Sequence, residues 1–178
     1  MDAEEFDLIE PAEAMADEFI AYSEEFRAAG EPFVLGELDQ VKGDFARLLG
    51  IWRDRAAGRN LPEGRVPYNV YWLVRGGRIL GTIRLRHRLN QQLSHEGGHV
   101  GFDVRPSERG KGCATRMLAE VLQMARQRGL SRVLVTCDKD NAASARVIQK
   151  NGGELEDEVV AKRRDGSEKL VQRYWIDL

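Results

Sequence analysis

The chain alternates between two hydrophobic periods, and the switches between them mark its elements. Phe6, Leu8 and Pro11 outline a short opening strand. Met15, Phe19, Tyr22 and Phe26 then recur at spacings of four, three and four, one face of a helix that Gly30 is placed to stop. Asp39 is expected to cap a second helix with Val41, Phe45, Leu48, Leu49 and Trp52 on its apolar side. Two prolines and two glycines between Gly58 and Pro67 break that pattern. From Tyr68 the period is that of a strand: Val70, Trp72 and Val74 alternate up to Gly76-Gly77, and Ile79 to Leu85 returns as the second arm of a hairpin. A polar connection from Asn90 to Gly98 leads to a fourth strand, His99 to Val104, closed by Arg105-Pro106. A long helix follows, with Ala114, Met117, Leu118, Val121, Leu122 and Ala125 on one face and Gly129 as its left-handed cap. Val133, Leu134, Val135 and Cys137 read as a strand covered on both faces. A helix from Asp140 or Asn141 to Asn151, with an Asx cap and a Gly152-Gly153 stop, comes next. Two final strands, Leu155 to Ala161 and Leu170 to Ile176, flank the turn Asp165-Gly166.

In order, these are a strand, two helices, a three-stranded meander, then helix, strand, helix and a closing hairpin. That order predicts an α/β fold: one mixed, mostly antiparallel sheet of about seven strands flanked by about four helices, with parallel pairing only between strands four and five. A ligand is expected at the break between Val104 and Ala114. With 178 residues, 42% hydrophobic and 31% charged, the chain suits a single domain, 1–178. No apolar run approaches the roughly 20 residues of a membrane span. The first twenty residues carry many acids and no Lys or Arg, unlike a signal or transit peptide, so a cytoplasmic location is expected. Cys113 and Cys137 are expected as free thiols.

The formal charge of −2 conceals an asymmetry. Residues 1–40 hold thirteen acids against one base, Arg27, a balance of −12 that leaves +10 for the rest. No Lys/Arg block interleaved with aromatics appears, so neither a nucleic acid nor a membrane is an expected partner.

The strongest local signal is Arg109-Gly110-Lys111-Gly112-Cys113-Ala114, where a strand gives way to the long amphipathic helix. Two glycines let backbone N–H groups turn inward and the helix N-terminus adds partial positive charge, so main-chain donors can hold a pyrophosphate there. Arg109, Lys111 and Arg116 add full charges. The plainer alternative is a glycine turn with solvated basic residues. Two nucleotide motifs do not fit: a Walker A loop needs Ser or Thr after Gly-Lys, where Gly112 stands, and the dinucleotide fingerprint needs Gly or Ala where Thr115 stands.

This segment resembles the GNAT superfamily of N-acetyltransferases, whose acetyl-CoA motif reads Arg/Gln-x-x-Gly-x-Gly/Ala; Arg109, Gly112 and Ala114 stand at its positions. Val104-Arg105-Pro106 is similar to the family's exit from strand four. Asn141-x-x-Ser144 and Lys150-Asn151-Gly152 are similar to its second CoA-side motif. A poorly characterised subgroup resembles the chain further, through Arg-His-x-Leu-Asn at 86–90, Gly-Gly-His at 97–99, Arg-Pro-Ser-Glu-Arg at 105–109 and Arg-Tyr-Trp at 173–175. The resemblance implies acetyl-CoA as cosubstrate, no metal, and direct transfer of the acetyl group to a primary amine of a small molecule or peptide. It also implies main-chain contacts to the pantetheine arm from Phe102, Asp103 and Val104, and a pyrophosphate seat from Arg109, Gly110, Lys111, Gly112, Cys113, Ala114 and Thr115. Asn141 and Ser144 complete the CoA side, with a plain N-cap as the compatible second role of Asn141. A homodimer is left open.

An amine is mostly protonated near pH 7, so a base is needed. His99 is the first choice, on the central strand about where many relatives carry a glutamate, and a packed histidine bonded to backbone is its equal alternative. Asp103, on the same strand face, is the second. Many relatives carry a tyrosine acid seven residues after the motif asparagine; here Ile148 stands at that position. The acid is therefore unassigned, with water, Ser144 and the remote Tyr174 as options, and a catalytically silent acyl-CoA-binding module is the alternative function. A metal on His87, His95 and His99 is not expected, for their spacing places them on a strand, a loop and a strand. The resemblance implies that the acceptor enters opposite CoA, between the first two helices and the closing hairpin. Asp17, Glu18, Glu24, Glu25 and Glu31 would then form an acidic wall favouring a cationic amine, unless they serve only to balance the basic body.

Overall fold

In the computed structural model, which describes residues 6–31, 43–163 and 165–178, β1 (Asp7–Ile9) leads through one 3-10 turn to α1 (Ala16–Ala28). Phe19, Tyr22 and Phe26 are buried along α1 at the predicted spacing. The helix carrying Phe45, Leu48, Leu49 and Trp52 is α2 (Phe45–Ala56), and its cap is Asp44, whose carboxylate accepts the Arg47 N–H at 2.9 Å. Asp39 and Val41 lie outside the described residues. β2 (Tyr68–Arg75) and β3 (Arg78–Arg86) form the hairpin around Gly76-Gly77, both with positive φ as a tight two-residue turn requires. The polar connection contains α3 (Gln91–His95), capped by the Asn90 side chain on the Leu93 N–H. Five residues are too few to display a helical period, so hydrophobic spacing does not reveal it. The chain continues through β4 (Val100–Val104), α4 (Cys113–Gln127), β5 (Arg132–Asp138), α5 (Ala142–Lys150), β6 (Glu154–Lys162) and β7 (Glu168–Asp177).

The seven strands form one sheet in the order β1-β2-β3-β4-β5-β7-β6, antiparallel except where β4 meets β5. Strand alternation divides its side chains between two layers. Leu73, Leu80, Leu85, Val100, Val133 and Val135 pack against Met117, Leu118 and Val121 of α4. On the opposite face Tyr68, Val70 and Trp72 lie under α1 and α2, where Phe19 stacks on Trp72 at 5.0 Å and Trp52 meets it edge-on at 6.3 Å. Each such fully buried side chain contributes roughly 1.5–3 kcal/mol relative to exposure.

β4 and β5 pair at one point, Val100 with Val135, and then diverge. On its other side β4 is bonded to β3: the Arg86 N–H donates to the His99 carbonyl and the Arg105 N–H to the Leu80 carbonyl. In an antiparallel pair bonded residues alternate with residues whose N–H and C=O point away. The main-chain groups of Phe102 and Val104 therefore face the β5 side, where no strand meets them, whereas those of Asp103 face β3.

Candidate active site

A cleft of about 640 Å³ opens at this divergence. Phe102, Asp103 and Val104 form one wall, and the loop and first turn of α4 contribute Arg109, Gly110, Gly112, Cys113, Ala114 and Thr115. Asn141 and Ser144 stand opposite, and Phe26, Glu31 and Glu108 complete that end. Gly112 caps α4 with φ of 85°, a left-handed conformation that strains any residue with a Cβ, and no side chain satisfies the helix's first N–H groups. Asn141 caps α5 by accepting the Ser144 N–H at 3.1 Å. Two helix N-termini thus meet at one cleft, a concentration of unpaired N–H donors suited to an anion.

Of the expected cations, only Arg109 reaches the cleft. Its guanidinium pairs bidentately with Glu31, at 2.7 and 2.6 Å, and its Nε donates to the Val104 carbonyl. Lys111 turns instead to Glu108 at 3.0 Å, and Arg116 to Glu120 and the Phe6 ring. Positive charge comes in their place from Arg146 and Lys150, which line the cleft with Ala143 and Val147. These four stand at i, i+3, i+4 and i+7 from Ala143, one face of α5; the same spacing counted from Asn141 leads instead to Ser144, Ala145 and the buried Ile148.

Asp103 and His99 fare differently. Asp103 lines the cleft, and burial pushes its carboxyl up to about 6 against the pull of Arg84 and Arg109. The Tyr22 hydroxyl donates to its carbonyl at 3.3 Å. His99 is 5% exposed and is not among the cleft residues; its Nδ1 accepts the Leu134 N–H at 2.9 Å. That bond requires a neutral ring, and burial, aided by Arg86, lowers its pKa to about 4. The geometry is that of a packed histidine holding β5 beside β4, and the expectation of His99 as base is corrected accordingly.

The acidic wall is corrected too. Arg105, 5% exposed, donates through Nη1 to Glu18 and through Nε to Glu25, and its Nη1 also reaches the Ile79 carbonyl at 3.1 Å. Ser107 donates to Glu25 at 2.8 Å, Arg78 adds a contact at 3.3 Å, and Glu31 holds Arg109. Burial pushes the Glu25 carboxyl up, but the hydrogen bonds from Arg105 and Ser107 outweigh it and hold it below the usual carboxylate range. The carboxylates of α1 nearest the sheet are thus neutralised, while Asp17 and Glu24 are exposed. Ile148 lies fully buried in the core under α4, and the Tyr174 hydroxyl donates to Gln172, away from the cleft. Both cysteines are buried free thiols. Among the described residues no three His, Cys, Asp or Glu side chains gather as metal ligands, and no helix is long and apolar enough to cross a membrane.

No curated protein sequence matches the chain. Its fold is shared with solved structures: an acetyltransferase of the GNAT family from Streptococcus pneumoniae, with 17% identity over 98% of this chain and 100% of the other and a TM-score of 0.68. The microcin C7 self-immunity acetyltransferase MccE, solved with acetyl-CoA and AMP, is 15% identical over 99% and 94%, TM-score 0.72. An acetyltransferase from Salmonella typhimurium that modifies the N-terminal serine of ribosomal protein L7/L12 is 14% identical over 99% and 96%, TM-score 0.70. At these identities the likeness speaks for the fold alone. The family model of the acetyltransferase (GNAT) domain, however, matches residues 8–154, spanning both helix N-termini at the cleft, and the chain belongs to that family.

Proposed function

We propose that this protein is an acetyl-CoA-dependent N-acetyltransferase that transfers the acetyl group directly to a primary amine of a small molecule or peptide. The observation that carries the reading is the cleft itself, in which a strand with unpartnered main-chain groups runs into an uncapped helix N-terminus behind a left-handed glycine. The Phe102 and Val104 main chain suits an amide-bearing arm. The N–H groups from Gly110 to Thr115, with Arg109, Arg146 and Lys150, suit phosphates. A thioester held there supplies an acetyl carbon that a neutral amine attacks: the C–N bond forms, the C–S bond breaks and the thiolate leaves. Main-chain N–H donors at Phe102 and Val104 are oriented to receive the developing negative charge on the acetyl oxygen.

Asp103 is the base in this reading. With a pKa of about 6 it is about nine-tenths ionised at pH 7, and it lies on the cleft wall where the ammonium proton must be removed. The acid remains water or Ser144, since Ile148 has no proton to give. The test is incubation of the protein with acetyl-CoA and a panel of primary amines, following release of free thiol. Thiol release that depends on the amine supports the transferase. Tight CoA binding without thiol release on any amine favours the silent binding module, for which the buried Ile148 is the motive. Gly112→Val, which puts a branched side chain at φ of 85°, is expected to weaken CoA binding at least a hundredfold; unchanged affinity sinks the assignment of the loop.

A further inference from the structure

We infer that the acceptor is an amine carrying an anionic group, such as the carboxylate of an amino acid, and that Arg84 is the residue that binds that group. The inference rests on the transferase reading and names its substrate class.

Across the β3–β4 pair Thr82 stands opposite Asp103, and Arg84 opposite Gly101. Directly opposed residues project to one face, so Arg84, Gly101 and Asp103 share the face that α1 and α2 cover farther along the sheet. A Cβ added at Gly101 would meet no atom of the described residues within 4 Å. Among those residues open space stands above Gly101, with the base Asp103 two residues away on one strand and Arg84 directly across on the other.

Arg84 and Asp103 act on each other as opposite charges across that space, and the further groups around it add cations. The Nε of Arg84 is buried and finds no hydrogen-bond partner among the described residues, and its guanidinium lies 4.8 Å from the Tyr68 ring centroid. Arg86 is met by the Gly97 and Gly98 carbonyls, at 2.8 and 2.9 Å, instead of a carboxylate. Arg84 and Arg65 both act on it as like charges. His99 is neutral. Trp175 Nε1, a second buried donor with no partner among the described residues, lies against the His99 ring on the same face. Buried donors are nearly always satisfied, and an orphan on a charged group is costly to leave so. A guanidinium braced on an aromatic ring, with its Nε unpaired among the described residues, fits a planar carboxylate, and an amine a few atoms farther along such a molecule falls beside Asp103.

The experiment offers matched acceptors to the whole chain with acetyl-CoA: each L-amino acid beside its carboxamide, together with simple alkylamines. Acids are expected to give kcat/KM at least tenfold above their amides. Arg84→Met, which keeps the aliphatic packing on Tyr68, should raise KM for the acids at least tenfold and change KM for the amides less than twofold. Arg84→Lys should recover part of the loss, and Arg84→Gln provides a second neutral variant. Equal use of acids and amides, or an acid-to-amide ratio untouched by Arg84→Met and Arg84→Gln, overturns the inference. If no acceptor releases thiol, the melting temperature of the CoA-loaded protein is read with the same pairs. Stabilisation by acids only, lost in Arg84→Met, upholds the anion site while ending the transferase reading; no difference between acids and amides overturns the site.

Discussion

Helix α1 and strand β3 both bring dense charge to the neighbourhood of the cleft, and they differ in what meets it. Glu18, Glu25 and Glu31, along α1 and just beyond its end, each face a guanidinium from the segment that follows β4, so little net field leaves that surface. Arg84 faces an aromatic ring and acts on the Asp103 carboxyl without forming an ion pair among the described residues, and Arg86 faces carbonyls and a neutral imidazole. A charge count along the chain marks the first region as the forceful one; after pairing, the second is. A ligand responds to the charge left over, not to the charge encoded.

The sharpest way to break that comparison is Arg105→Met. It leaves two carboxylates of α1 facing a buried apolar side chain, and breaking a buried pair in this way costs about 3–5 kcal/mol, on the order of 10 °C in melting temperature for a domain of this size. A melting temperature within 2 °C of wild type, an interval chosen as roughly the error of one scan, would show that the α1 acids are not truly engaged. Next comes Asp103→Asn, expected to lower kcat/KM on the order of 10²-fold at neutral pH and to abolish the rise of the rate through about pH 6. Because the folded pKa of Asp103 lies above its usual 3.8, its contribution to stability is lost as pH rises through 6. The Asn variant should therefore be the more stable protein at pH 8 in a denaturant titration.

His99 acts with the opposite sign, on the acid side of the pH profile. Its folded pKa of about 4 lies below the ordinary 6.5, so the stability it contributes is complete above 6.5 and is lost as pH falls toward 4, roughly 3 kcal/mol in all. His99→Gln should flatten that limb of the stability profile, and a steep limb surviving the substitution would reassign it. Smallest of all is Glu24→Lys, on the exposed side of α1. It should change stability by less than about 0.5 kcal/mol and leave the KM of a cationic amine within twofold. A large rise in that KM would restore the acidic wall.

The elements and their order were legible because each long element buries one side at a fixed period. Phe19, Tyr22 and Phe26 announce α1, and Val70, Trp72 and Val74 announce β2, wherever they later pack. The glycine loop and both caps at the cleft were legible for the same local reason. What eluded sequence reasoning depends on partners far along the chain. Arg105 meets Glu18 and Glu25 across some eighty positions, and His99 is tied to Leu134 only because β4 and β5 touch before they part. Lys111 and Arg116 were expected at the cleft by proximity in sequence, and nearby carboxylates drew both away.

The order of the sheet also decides how the molecule behaves among its own copies. Its two outer strands are β1 and β6, and rows of free N–H and C=O groups on such strands invite another chain to add itself. β1 offers three residues, too few for a stable foreign pairing, and Arg75 and Arg116 sit on Phe6 beside it. β6 is nine residues long with Leu155 and Val160 exposed, and its first half is lined by charged side chains engaged within the molecule, Glu156 and Asp157 by Arg173 and Glu158 by Lys139, which a second strand would have to displace. An open sheet with a gap at its centre is thereby kept from growing at its rims, and removing those charged pairs is the change that would bare the longer edge to another strand.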